Sequence, residues 1–378
     1  MLDQMNALKP IGLTPDNMAQ SPTDPTLDDL NLSLYRDGMT DGLPVIPPTS
    51  ERVEEMMRGT DNQRDHVLGR LGNKENPLTV EQLAANAVMA GCVPQYMPVL
   101  EAGARALADP KSNSIQSSVS TGSWSYFWMV NGPVRDDIDI ESGSGAFGPS
   151  FHANQTIARA LGIAYRNTAK IYPGEKDMGV MGHPAKFYML AGENEEASPW
   201  EPYHVTNGFD EDESTITFAA PNGWTQWIPR ENTPKHILQG AIQNTPRSMH
   251  AKSGHAVNST IFHIMNPYNA EELAKADISK DEIKEYIVDN SYVRHDDYES
   301  VLGGGEDYDI PPRQIRQYHD PDAINLATVG GSGRFSAIAG TSIGGPVTHK
   351  IEFPNGWEDL VEEYPVERDW VPEEGFYD

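Results

Sequence analysis

The run Tyr126-Phe127-Trp128-Met129-Val130 leads into Asn131-Gly132-Pro133, and a glycine-rich segment comes next, Ser142-Gly143-Ser144-Gly145-Ala146-Phe147-Gly148-Pro149. A short apolar run closed by a turn signal reads as a buried strand. A helical pattern begins near His152, with Ile157, Leu161, Ala164 and Tyr165 along its apolar side. A second buried strand, Phe187-Tyr188-Met189-Leu190, then ends in Glu193-Asn194-Glu195-Glu196. Strands alternating with helices predict an α/β fold: two lobes of mixed sheets flanked by helices, with the site between the lobes.

The pattern extends in both directions. Toward the N-terminus, Thr79 with Gln82 makes a capping box, Gly91 stops that helix and Pro94 starts the next,. Thr49 or Ser50 caps a helix over 51–58, reached through Pro44, Pro47 and Pro48,. Toward the C-terminus, strands are expected at 214–220, 259–265 and 323–329, with Trp224 and Trp227 as core or interface residues. Pro234 opens a helix; Asn266-Pro267 caps a second, and Ser279 with Glu282 boxes a third,. The reading divides the chain into an extended N-terminal arm (1–33), a first lobe (34–257), a second lobe (258–357) and an acidic tail (358–378), either a docking arm or disordered. Strand 323–329 runs into Gly330-Gly331-Ser332-Gly333-Arg334, echoing the earlier glycine turn and suggesting two remotely similar halves.

The chain has 378 residues, a formal charge of −28 and one cysteine. That charge opposes binding to nucleic acid or anionic membranes. No apolar run is long enough to span a bilayer and no signal core opens the sequence, so the expectation is cytoplasmic. Apolar residues punctuate the arm and tail, which predicts a homo-oligomer.

Chemistry concentrates between Asn131 and His204. Glu193, Glu195, His204 and His183 are the acid–base candidates. Asn131, Gly145, Asn154, Asn194, Gly331, Ser332 and Arg334 are candidates for binding a small-molecule substrate, because glycine-turn amides and a guanidinium suit an anion. The 143–148 segment matches G-x-G-x-x-G, but lacks the strand before it and the acidic strand end after it that a dinucleotide site needs. His250, Lys252 and His255 form one locally basic segment. Cys92 stands between two helices, either a buried apolar group or a thiol activated by a helix N-terminus. The cofactor is undetermined; a divalent metal is the alternative, in a lyase or hydrolase using the Glu193–His204 cluster, though no zinc spacing is present.

The runs Asp41-Gly42-Leu43-Pro44-Val45-Ile46-Pro47-Pro48-Thr49, Asn86-Ala87-Val88-Met89-Ala90-Gly91-Cys92 and Glu193-Asn194-Glu195-Glu196-Ala197-Ser198-Pro199-Trp200-Glu201-Pro202 resemble a bacterial family whose members tend to accompany small UGSC-type proteins. The resemblance covers most of residues 37–357. It implies that a redox thiol pair, if the reaction needs one, comes from a separate thiol or selenol protein, since the cysteine-glycine-serine-cysteine motif is absent here. The expectation is an enzyme, or enzyme subunit, acting on a small anionic organic molecule with such a partner. A non-catalytic scaffold for the thiol protein is the remaining alternative.

Overall fold

The computed structural model describes residues 27–245, 260–293, 315–316, 318 and 320–366. His250, Lys252 and His255 lie outside them, as do most of the 294–322 excursion and the ends of arm and tail.

In chain order the helices are α1 (Leu27–Arg36), α2 (Ser50–Met56), α3 (Val80–Ala90), α4 (Met97–Ala108), α5 (Ser114–Val119), α6 (Val134–Asp137), α7 (His152–Ala169), α8 (Tyr203–Thr206), α9 (Pro234–Asn244), α10 (Pro267–Ala274), α11 (Lys280–Asn290) and α12 (Trp357–Glu363). The strands are β1 (Val67–Leu71), β2 (Asn76–Thr79), β3 (Phe127–Asn131), β4 (Met189–Gly192), β5 (Thr215–Ala219), β6 (Trp224–Trp227), β7 (Thr260–Met265), β8 (Tyr292–Val293), β9 (Ile315–Arg316), β10 (Ile324–Thr328), β11 (Ser336–Ser342) and β12 (Val347–Lys350). None of the described helices is long and apolar enough to cross a membrane.

Local chemistry sets many of these boundaries. Thr79 and Ser279 close capping boxes on α3 and α11, and Gly91 ends α3 at φ 95°. A left-handed residue there satisfies the last carbonyls, and only glycine adopts it without strain. The Asn266 side chain accepts from the Asn269 N–H with Pro267 in the first turn of α10.

Two four-stranded mixed sheets organise the molecule, β12-β5-β3-β4 and β6-β11-β7-β10. Each has the same pattern. The pair at one edge is parallel, β3 with the edge strand β4 and β7 with the edge strand β10. The next strand is antiparallel, β5 on β3 and β11 on β7. The outermost is antiparallel again, but it comes from the other half: β12 pairs with β5, and β6 with β11. The halves are therefore alike in order and exchange their last strands. The expected boundary at 257/258 does not follow the sheets, because β6 and α9 belong to the second layer pair and β12 to the first.

Side-chain alternation along the strands builds four layers. Trp128, Val130, Leu190, Ile216 and Phe218 face α3, α4 and α7 in one core. Ile261, Met265, Leu326 and Ile338 face α9, α10 and α11 in another. The intervening faces pack on each other through Phe127, Met129, Ala191, Phe262, Ile264 and Ala337. Phe127 and Phe262, at equivalent positions of β3 and β7, meet with ring centroids 4.9 Å apart.

Two differences from the sequence reading have physical causes. Residues 27–33 are helical rather than extended, and α1 is anchored by the buried Leu34. The β1–β2 hairpin and strands β6, β11 and β12 are further elements, each short or with little apolar alternation to announce it. The start of the tail docks: the Trp357 indole N–H donates to the Gln95 carbonyl at 3.0 Å, and the Gln95 amide donates to the Tyr364 carbonyl at 2.6 Å.

Candidate functional site

The two halves end their parallel strands in matching turns. Met129-Val130-Asn131 closes β3 and Ile264-Met265-Asn266 closes β7. The Glu193 N–H donates to Val130 at 3.0 Å, and the Val329 N–H donates to Met265 at 2.9 Å, the same bond in each half. The connections beyond these bonds are unequal. The first half fills its strand ends with the long connection 193–214. The second has only 329–335, and a crevice stays open.

The filled side is a buried polar network. Glu193 is fully enclosed, and its carboxylate accepts from Asn131 Nδ2 at 2.6 Å, the Tyr203 N–H at 2.6 Å and the Thr328 N–H at 3.2 Å. The last bond ties β4 to β10, so Glu193 holds the two sheets together. Burial raises the Glu193 pKa against the opposing pull of Lys280, 3.9 Å away. Burial also lowers the Lys280 pKa. Glu195 accepts from Asn131 Nδ2 at 2.8 Å and Gly132 N–H at 2.9 Å, and pairs with buried Arg135 at 3.2 Å. Arg135 also holds Glu196. His204 is fully buried with Nδ1 3.8 Å from Glu195. The carboxylates are thus saturated by N–H donors and a guanidinium, the donor set of a structural staple. Among the described residues no group of three or more His, Cys, Asp and Glu is arranged to hold a metal ion.

The open side is a crevice of about 750 Å³ between the inner faces of the sheets. Gly145, His183, Gly331, Ser332 and Arg334 line it, with Asn266 at its base. Its apolar walls are Phe147, Trp224 and Phe335, and Phe147 packs on Trp224 at 4.9 Å between centroids. The two glycine turns touch: a Cβ on Gly331 would lie 1.8 Å from Ser144 Oγ. Gly330 and Gly333 have φ of 104° and 138°, conformations that side chains rarely adopt,. The N–H groups of Gly331, Ser332 and Gly333 donate to no acceptor among the described residues. Arg334 has no carboxylate partner among them either. His183 Nδ1 accepts from the Ala185 N–H at 3.1 Å, which leaves Nε2 as the free ring nitrogen. Burial, and then Lys186, lower the His183 pKa, so the ring is neutral near pH 7,.

The expected residues therefore separate. Gly145, His183, Gly331, Ser332 and Arg334 share the crevice. Glu193, Glu195, His204 and Asn131 lie in the adjoining network and form no part of its lining, because cross-sheet bonds draw them inward. Asn194 joins the two, donating from its backbone to Thr328 at 2.8 Å and from its side chain to Gly330 at 3.0 Å. Asn154 is a staple: its amide donates to the carbonyls of Glu141, Ala146 and Leu190, fixing the glycine-rich loop to β4. Sequence reasoning missed Arg135, Lys280 and Asn266; the Asn131/Asn266 echo was the signal for the last. Comparison with protein-family models, curated proteins and solved structures gives no match.

Proposed function

We propose that the crevice binds a small anionic organic molecule and that the chain is an enzyme, or enzyme subunit, acting on it. The observation that carries this is the Gly331–Gly333 turn. Three unused N–H groups beside an unpaired guanidinium form an anion cradle. Phe147, Trp224 and Phe335 suit the apolar part of the ligand. Neutral His183 is the proton-transfer candidate, with Nε2 the nitrogen for it.

Cys92 is buried, and desolvation pushes its thiol up to about 12. A thiolate is the reactive form, so this chain's one cysteine is a packing group at neutral pH. A thiol or selenol step in this reading belongs to a separate partner protein. Self-association is part of the same proposal: Leu27, Leu32 and Tyr35 are exposed on α1. A monomer by light scattering at micromolar concentration removes that part.

The binding test is calorimetry with aliphatic mono- and dicarboxylates, from acetate to glutarate, and their neutral amides. At least one acid should bind, its amide should bind worse, and Arg334→Ala should weaken the acid by roughly tenfold or more. No binding by any acid, or equal affinity in Arg334→Ala, sinks the proposal.

A further inference from the structure

A second, smaller cavity of about 290 Å³ opens beside α7 on the helix-covered side of the first sheet. Tyr165 and Arg166 of α7, Tyr126 and Phe187 are among its lining residues. Gly162 makes room for one wall, since a Cβ there would lie 2.3 Å from the Phe187 ring.

Most charges at this cavity are satisfied. Asp41 accepts from Arg159 Nε at 2.8 Å, from Arg159 Nη2 at 2.9 Å and from the Tyr188 hydroxyl at 2.7 Å. Lys186 pairs with Asp177. Arg166 differs. Its guanidinium donates to the Thr40 carbonyl and lies 5.3 Å from the Tyr172 ring centroid. Among the described residues no carboxylate comes within ion-pair distance of it. Desolvation lowers its pKa, against the opposing pull of Tyr172 and of the more distant carboxylates of Asp41 and Asp177, which pair with Arg159 and Lys186 instead,.

Tyr126 supplies the second group. Its ring is buried edge-on against Tyr165, at 5.8 Å between centroids. Its hydroxyl finds no hydrogen-bond partner among the described residues. A half-buried guanidinium with unused donors and an unpaired phenol, both lining the cavity, are the donors a carboxylate needs,. Aromatic rings around them favour a flat apolar body over a fully hydrated anion.

We propose that this cavity is a second ligand site, taking a small aromatic carboxylate whose acid group meets Arg166 and Tyr126 and whose ring packs against Tyr165 and Phe187. The site is separate from the crevice, and it stands whether or not the crevice binds an anion.

The test is calorimetry of the full chain with benzoate, phenylacetate and 3-phenylpropionate, and with benzamide as the neutral isostere. At least one acid should bind, and benzamide should bind roughly tenfold more weakly than benzoate if benzoate is that acid. Arg166→Met should remove binding, Tyr126→Phe should weaken it, and Arg334→Ala should leave it unchanged. Should Arg166→Met not fold by circular dichroism, Arg166→Lys replaces it; losing the planar fork should still weaken the acid severalfold. The idea is overturned if none of the three acids binds. It is equally overturned if binding survives both the Arg166 and Tyr126 substitutions, or is lost in Arg334→Ala instead.

Discussion

At the residue scale, two buried ionisable groups carry stability arguments. Glu193 accepts three hydrogen bonds from N–H donors on β3, α8 and β10. Glu193→Gln would turn an amide N–H₂ toward at least one of those donors. We expect a loss of about 3 kcal/mol in urea unfolding, the usual cost of breaking a buried charged network. No loss would show that the sheets are joined by apolar packing alone. His263 is buried on β7 with its Nε2 3.1 Å from the Thr245 hydroxyl, and burial lowers its pKa to about 3. The folded pKa lies below the unfolded one, near 6.5. Its contribution to stability is therefore present above pH 6.5 and is lost as pH falls toward 3. Urea unfolding of the native chain and of His263→Gln at several pH values checks this. The stability gap between them should narrow as pH drops from about 6.5, and a constant gap contradicts the assignment.

At the element scale, capping chemistry was legible and pairing was not. The boxes at Thr79 and Ser279, the Gly91 stop and the Asn266-Pro267 start are local signals, each decided within four residues. Strand β6 was not legible, because Trp224-Thr225-Gln226-Trp227 is short and its partner β11 lies more than a hundred residues on. The crevice was half legible. Glycines at 143–148 and 330–333 announced turns, but their contact depends on sheet packing. That contact gives a prediction. Gly331→Ala drives a Cβ into Ser144 and should destabilise the chain by about 1–2 kcal/mol,. Ser144→Ala alone should be near neutral, and the double variant should recover part of the loss. A double-mutant cycle by chemical denaturation reads the coupling, and strict additivity would mean the turns are independent.

At the scale of the whole molecule, strand exchange is the governing feature. Each sheet is completed by a strand from the other half, so neither half can bury its inner face alone. The chain should unfold in one transition. Fluorescence of Trp128 on β3 and of Trp227 on β6, each kept as the sole tryptophan of a variant, should give coincident urea curves,. Two separated midpoints would mean the halves fold independently. The same feature explains the split of the candidate residues. Glycine and arginine in the second half's short turn stayed at an open edge, while the longer acidic connection of the first half was drawn between the sheets. The acidic run is the denser cluster of polar groups along the chain, yet topology places the opening at the second half's strand ends.

The central claim is that the crevice, not the acidic network, holds the ligand. The direct measurement is a crystal structure of the chain soaked with the tightest-binding aliphatic carboxylate. The account predicts the carboxylate at the Gly331–Gly333 amides and Arg334, with the remainder against Phe147 and Trp224. A carboxylate bound instead at Glu195 and His204, or no density at the Gly331–Arg334 turn with the site accessible in the lattice, would contradict it.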